Sequence, residues 1–154
     1  MRIPSALFGI IREVARHVLR RPVVGIAAAA RTPDGRWVLI RRGDTGGWAL
    51  PGGTLEWGET LKSAISRELV EETGARLLEV GRLVGVYSGP SRDARFHAVT
   101  VVVEARVELT ERGAENPLEI LEVRAFPEAD LPGEFSYQMK DMLDDAMENR
   151  TVWE

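Results

Sequence analysis

An α/β fold is predicted by three features of this chain. β-compatible apolar runs recur between residues 23 and 126, a helical stretch interrupts them at residues 61–73, and a second helical stretch follows at residues 136–148. The first strand is read at residues 23–30, directly after Pro22, although its four consecutive alanines weaken the β signal. Thr32-Pro33-Asp34-Gly35 is a turn by its chemistry, and residues 37–40 return as the second strand. A loop from Gly43 to Gly47 leads into Trp48-Ala49-Leu50-Pro51. The helix at residues 61–73 is closed by Gly74 as its C-cap. Residues 77–87 and 98–107 read as two long strands, the second Val-rich and expected at the centre of the sheet. Residues 123–126 form a short strand, and the final helix spans residues 136–148 with Ser136 as its N-cap.

Composition bounds the function. A chain of 154 residues with 44% hydrophobic and 29% charged residues is expected to form one soluble globular domain. It has no cysteine, which excludes disulfides and thiolate metal sites, and His17 and His97 are too few for a zinc cluster. Any metal is therefore held by oxygen. No apolar segment approaches the roughly 18 to 20 residues a bilayer crossing needs. Residues 3–11 imitate a signal peptide, but Arg12, Glu13 and Arg16 follow without a small-residue cleavage site, so the cytoplasm is the expected compartment. Leu7, Ile11, Val14 and Val18 fall at helical spacing, with Arg12, Arg16 and Arg20 elsewhere on the wheel. Residues 1–21 are thus read as a basic amphipathic helix that packs on the domain or on a second subunit of a homodimer, rather than on a membrane. Residues 1–42 carry nine Arg against Glu13 and Asp34, while residues 113–148 carry ten acids against Arg124 and Lys140. Such asymmetry does not establish nucleic-acid binding, but it suits a polyanionic substrate that also needs a cation.

The helix at 61–73 carries the chemistry. At about 100° per residue, Leu61, Ala64, Ile65 and Leu69 form one apolar stripe. Glu68 and Glu72 fall inside that stripe, with Glu71 at its edge beside Arg67. An unpaired buried carboxylate costs several kcal/mol or takes up a proton, and two facing the same way raise each other's proton affinity. A divalent cation between them reverses the sign, because Mg²⁺ and Mn²⁺ take hard oxygen ligands.

Gly53, five residues, Glu59, seven residues, and then Arg67-Glu68-Leu69-Val70-Glu71-Glu72-Thr73-Gly74-Ala75 resembles the signature box of the Nudix hydrolases. Every polar and glycine position of that box agrees. Ala75 stands where a larger aliphatic residue is usual, and the Pro51-Gly52 lead-in also fits. The resemblance extends over most of residues 22–132. It implies an α/β (α+β) fold with a mixed β-sheet sandwiched between α-helices, residues 22–154 as the hydrolase domain, and residues 53–75 as a loop–helix–loop.

The resemblance also implies roles. Glu68 and Glu72 are expected to be direct ligands of Mg²⁺ (Mn²⁺ as an alternative), with Glu71 next and the Gly52 carbonyl as a further ligand. Gly53, Glu59, Arg67 and Gly74 have structural roles in the box, Arg67 through pairing with Glu71 and Glu59 by bracing the loop. Glu56 is not a box position and is expected to be exposed. The implied reaction is hydrolysis of a nucleoside diphosphate linked to a group X, by water attack at phosphorus. In this family the general base is a box glutamate or an acid on a later loop. The candidates here are Glu68, Glu71 and Glu119, with Glu115 and Glu122 as alternatives to Glu119. Residues 85–97 resemble the segment beyond the box in small ADP-ribose pyrophosphatases, where Pro90 occupies the position of a family proline and Phe96 replaces a common Gly. ADP-ribose or a related nucleotide sugar is the expected substrate; nucleoside triphosphates, dinucleoside polyphosphates and RNA 5′ ends are alternatives. Candidate substrate contacts are Arg41, Trp48, Pro90 and Arg92, and Trp57 offers a second ring for base stacking. A non-catalytic nucleotide sensor is a reading of a different class, disfavoured because Glu68, Glu71 and Glu72 are all retained.

Overall fold

The computed structural model describes residues 9–15 and 21–154. Residues 9–15 are helical (α1), and its Ile10, Ile11 and Val14 are all exposed. Leu7 and Val18 lie outside the described residues.

An eight-stranded mixed sheet follows, in the order β3-β2-β1-β6-β5-β8, with β4 also pairing β1 and β7 also pairing β2. Its strands are β1 (Val23–Arg31), β2 (Trp37–Arg42), β3 (Trp48–Ala49), β4 (Gly52–Thr54), β5 (Arg76–Tyr87), β6 (Ala98–Glu108), β7 (Ile120–Phe126) and β8 (Val152–Trp153). The helices are α2 (Leu61–Thr73) and α3 (Met139–Met147). As the sequence predicts, β6 is central, parallel to β1 along the whole of that strand and antiparallel to β5 on its other side. The other side of β1 is divided: Gly25–Ala27 pairs with β4, and Ala30–Arg31 pairs with β2. This division splays the sheet and leaves a cleft beside the start of β1.

The alanine run in β1 has a packing reason. Successive strand residues point to opposite faces, so Ala27 and Ala29 enter the core under α3 while Ile26, Ala28 and Ala30 enter the core under α2. Trp37 and Leu39 join the α3 core, Val38 the α2 core. Small side chains on a strand buried on both faces let the helical layers approach closely. Burial on both sides outweighs the weak β propensity of alanine.

Beyond shifts of one or two residues at strand ends, the structure departs from the sequence reading at β7, at two short strands and at α3. β7 starts at Ile120 rather than at residue 123, because Ile120 is buried against Ile40 and Ala49 in a small separate core. The two-residue strands β4 and β8 carry too little pattern to be read. α3 begins at Met139, and Ser136 is not its N-cap: Tyr137 (φ 55°) and Gln138 (φ 54°) are left-handed and interrupt the helix. Ser136 instead donates its N–H to the Trp48 carbonyl at 2.8 Å, with its hydroxyl 2.6 Å from that of Thr45.

Candidate active site

The start of α2 is built locally. Thr60 and Ser63 form a reciprocal capping box: the Thr60 hydroxyl accepts from the Ser63 N–H, and the Ser63 hydroxyl accepts from the Thr60 N–H. An N-cap of this kind contributes on the order of 0.5–2 kcal/mol. The other end stops at Gly74, whose left-handed φ of 65° suits glycine and whose N–H reaches the Val70 carbonyl. Residues 110–115 then dock on the free carbonyls of the last turn. Thr110 donates to the Gly74 carbonyl at 2.6 Å, and the Glu115 N–H donates to the Glu71 carbonyl at 2.7 Å.

Along the buried face of α2, Glu68 and Glu72 are only 8% and 6% exposed, beside the fully buried Ala64, Ile65 and Leu69. The glycine pair of β4 explains how the backbone comes so close. A Cβ on Gly53 would sit 2.2 Å from a Glu68 carboxylate oxygen, and one on Gly52 would sit 2.2 Å from the Ile26 carbonyl. The Gly52 N–H donates to Glu72 at 2.7 Å, and the Arg42 guanidinium lies 3.5 Å from it. These two contacts do not offset burial. Desolvation, reinforced by the Glu68 charge, pushes the Glu72 carboxyl up to about 8. Burial raises Glu68 too, although Arg67 opposes it.

Arg67 is a clamp on three acids. It holds Glu59 through Nε and Nη2 at 2.8 and 3.0 Å, Glu68 at 2.8 Å and Glu71 at 3.3 Å, and it also reaches the Thr54 carbonyl. The pairing with Glu71 read from the sequence is therefore the longest of its carboxylate contacts. Arg67 and the Glu56 N–H hold the Glu59 carboxyl down at about 2. Glu56 itself is exposed.

Four glutamates line one cleft of about 390 Å³: Glu68, Glu71, Glu72 and Glu119. Glu119 comes from the segment before β7 and is half exposed, 3.4 Å from Arg42. The Gly43 N–H anchors its backbone carbonyl at 2.7 Å, in a contact that leaves no room for a Cβ on Gly43. Of the three late acids, only Glu119 lines the cleft. Glu115 pairs with Arg112, and Glu122 faces Arg41 across the β2–β7 ladder.

The candidate substrate contacts divide. Arg92 lines the cleft, but Arg41, Trp48 and Pro90 do not. Arg41 donates to the Gly46 carbonyl. Trp48 packs edge-on against Phe126 at 4.8 Å as part of the α3 core. Trp57 is fully exposed and away from the cleft. In each case the strand alternation or the loop direction, invisible to a residue-type argument, points the side chain elsewhere. Conversely, the sequence reading missed Arg42, one residue from Arg41 and on the opposite side of β2. It also missed Arg95 and Tyr137, which line the cleft, and Asp44, which ties them together: the Tyr137 hydroxyl donates to Asp44 at 2.6 Å, Arg95 lies 3.2 Å from Asp44, and the Arg95 guanidinium lies 4.2 Å over the Tyr137 ring. The weak signal for Tyr137 was its aromatic ring just before the last helix.

Among the described residues, no three acidic or histidine side chains form a ready-made cation cage, since Arg67, Arg42 and Gly52 hold the carboxylates in the arrangement seen. The donor set nevertheless fits a hard divalent cation. All its ligands are oxygens, two are buried with raised proton affinity, and the glycine backbone leaves room where a Cβ would intrude.

A mixed sheet between helices, with this carboxylate helix against a Gly-Gly strand, defines a class. The NUDIX domain model matches residues 19–146, and the chain belongs to the NUDIX domain family. It is 48% identical over 69 residues to a MutT-like protein of Streptomyces ambofaciens, and 46% identical over 72 residues to an ADP-ribose pyrophosphatase of Methanocaldococcus jannaschii. Each match covers 45% of this chain and 44% and 42% of those relatives, so the chain spans less than half their length. Among solved structures, a MutT Nudix hydrolase of Burkholderia pseudomallei superposes with a TM-score of 0.71 at 30% identity, over 82% of this chain and 98% of that one. The Nudix domain of Shewanella oneidensis NrtR, complexed with ADP ribose, shares the fold with a TM-score of 0.73 at 22% identity, over 96% and 99% of the two chains.

Proposed function

We propose that this Nudix hydrolase is a divalent-metal-dependent pyrophosphohydrolase that cleaves a nucleoside diphosphate linked to a group X, with ADP-ribose or a related nucleotide sugar as substrate. The observation that carries the reading is the buried pair Glu68 and Glu72, under-compensated by protein contacts and sharing a cleft with Glu71 and Glu119. Glu68, Glu71, Glu72 and the Gly52 carbonyl would hold Mg²⁺ or Mn²⁺, which when bound neutralises the pyrophosphate, polarises phosphorus and acidifies water.

The chain's own groups do the rest. Arg67 orients Glu68 and Glu71, and the Gly52 N–H orients Glu72. Glu119, half exposed at the cleft, would accept a proton from water as that water attacks phosphorus. The new P–O bond forms from water and the bridging P–O bond breaks, so ADP-ribose yields AMP and ribose 5-phosphate. Arg42, paired with Asp44 and lying 3.5 Å from Glu72 and 3.4 Å from Glu119, would hold these two carboxylates in position beside the substrate. We assign the catalytic domain to residues 22–154, with residues 1–21 as an appended segment. Among the described residues, no helix is long and apolar enough to cross a membrane.

A relative named a putative 8-oxo-dGTP diphosphatase, from Bacillus subtilis and 40% identical over 60 residues, favours a second reading, a nucleoside triphosphate substrate. A panel of ADP-ribose, nucleotide sugars, nucleoside triphosphates, dinucleoside polyphosphates and triphosphorylated RNA, assayed with Mg²⁺ and Mn²⁺, separates the two. The highest kcat/KM is expected for ADP-ribose or a nucleotide sugar. A preference for triphosphates overturns the substrate assignment, and inactivity on every member overturns the enzymatic one.

A further inference from the structure

The loop of residues 88–97 supplies Arg92, Asp93, Arg95 and Phe96 to the cleft wall, yet has no regular secondary structure of its own. It closes on itself where His97 Nε2 lies 2.8 Å from the Ser88 carbonyl. Such a segment is among the first parts of a fold to open unless tied from outside. Glu154, directly after β8, ties it. Its carboxylate accepts the Ser88 and Gly89 N–H groups at 2.8 Å each, and grips the Arg92 guanidinium through Nε at 2.9 Å and Nη2 at 3.1 Å. Its backbone is held as firmly: the Glu154 N–H donates to the Val86 carbonyl, and the Ser88 hydroxyl donates to the Glu154 carbonyl. The close fit leaves little room, since a Cβ on Gly85 would sit 2.7 Å from the Val152 carbonyl. Arg92 completes the tie by lying over the Tyr87 ring at 5.0 Å and 3.6 Å from Asp141 on α3.

We infer that Glu154 is a positioning residue for specificity: through Ser88, Gly89 and Arg92 it sets the cleft wall formed by the 88–97 loop, which discriminates the group X. The inference rests on the pyrophosphohydrolase reading for its substrate. One consequence concerns Arg92. With its charge matched by Glu154 and Asp141, it shapes the wall and does not serve as a free cation for phosphate. Glu154 is itself pinned in the charged form, at about 2, by the Arg92 guanidinium and the two loop amides.

The test compares Glu154→Ala and Glu154→Gln with wild type across the nucleotide panel, alongside amide hydrogen exchange of the full chain. For Glu154→Ala the expected result is a KM increase of about tenfold for the preferred X with kcat changed much less, since a displaced wall weakens positioning. The kcat/KM ratio between X groups should flatten, the half-saturating Mg²⁺ concentration should be unchanged, and exchange at Ser88 and Gly89 should be faster. Glu154→Gln, which keeps an oxygen acceptor, should recover part of the KM and of the amide protection. Unchanged KM ratios, or unchanged exchange at Ser88 and Gly89, overturn the inference. Failure of the substrate reading appears separately, as a wild-type preference for another panel member; the variants are then compared on that member.

Discussion

The two walls of the cleft solve opposite electrostatic problems. On the α2 wall, Glu68 and Glu72 are buried with too little positive charge around them, and their proton affinity rises. On the wall formed by the 88–97 loop the charges are matched: Arg92 with Glu154, Arg95 with Asp93 and Asp44, and Asp44 with Arg42. A surplus of buried carboxylate is costly to a fold and useful to a cation. A fully paired surface makes the opposite trade, gaining a defined shape and giving up free charge. Under the proposed function, chemistry belongs to the first wall and selection to the second.

The largest expected effect comes from the α2 wall. Glu72→Gln should lower kcat by about 10²-fold or more while the melting temperature holds or rises, because a buried carboxylate is replaced by a neutral group of similar size. Added Mg²⁺ should raise the melting temperature of wild type and not of this variant. Near-normal turnover at limiting Mg²⁺ in a folded Glu72→Gln protein would remove Glu72 from the site. Glu119→Gln should lower kcat by roughly 10²-fold as well, at the low end of the range for general bases, but leave the Mg²⁺ dependence intact. If both parameters move together, Glu119 belongs with the metal ligands instead.

Arg67→Lys sharpens the contrast within one wall. A lysine cannot bridge Glu59, Glu68 and Glu71 at once, so a loss of about 10- to 100-fold in activity or metal affinity is expected. Full activity in steady-state assays would reduce the clamp to a surface ion pair. Tyr137→Phe probes the other wall: with its hydrogen bond to Asp44 gone, KM should rise by a few-fold, about 1 kcal/mol, at constant kcat. The smallest effect belongs to Pro90→Ala. Pro90 is exposed and outside the cleft, so stability should fall by only about 0.4–1 kcal/mol, and substrate ranking should stay as in wild type. A change in ranking would return Pro90 to the site.

The sequence alone determined the α2 wall. The spacing of Glu68, Glu71 and Glu72 on one helix, the Gly52-Gly53 approach and the Gly74 stop are local facts, set by helical periodicity and by the space a missing Cβ leaves. Strand order was partly legible for the same reason, the Val-rich β6 standing at the centre. The start of α3 was not, because Ser136 serves as an N-cap in isolation and as a partner of Trp48 and Thr45 in the fold. Tertiary structure likewise chose Arg42 over Arg41, since only the face of β2 that meets the cleft distinguishes adjacent arginines. It alone brought Glu154 to Ser88 across 66 residues, and Tyr137 to Asp44 across 93. Contacts at those separations depend on where the whole sheet carries its edges and loops, and residue spacing within an element carries no trace of that.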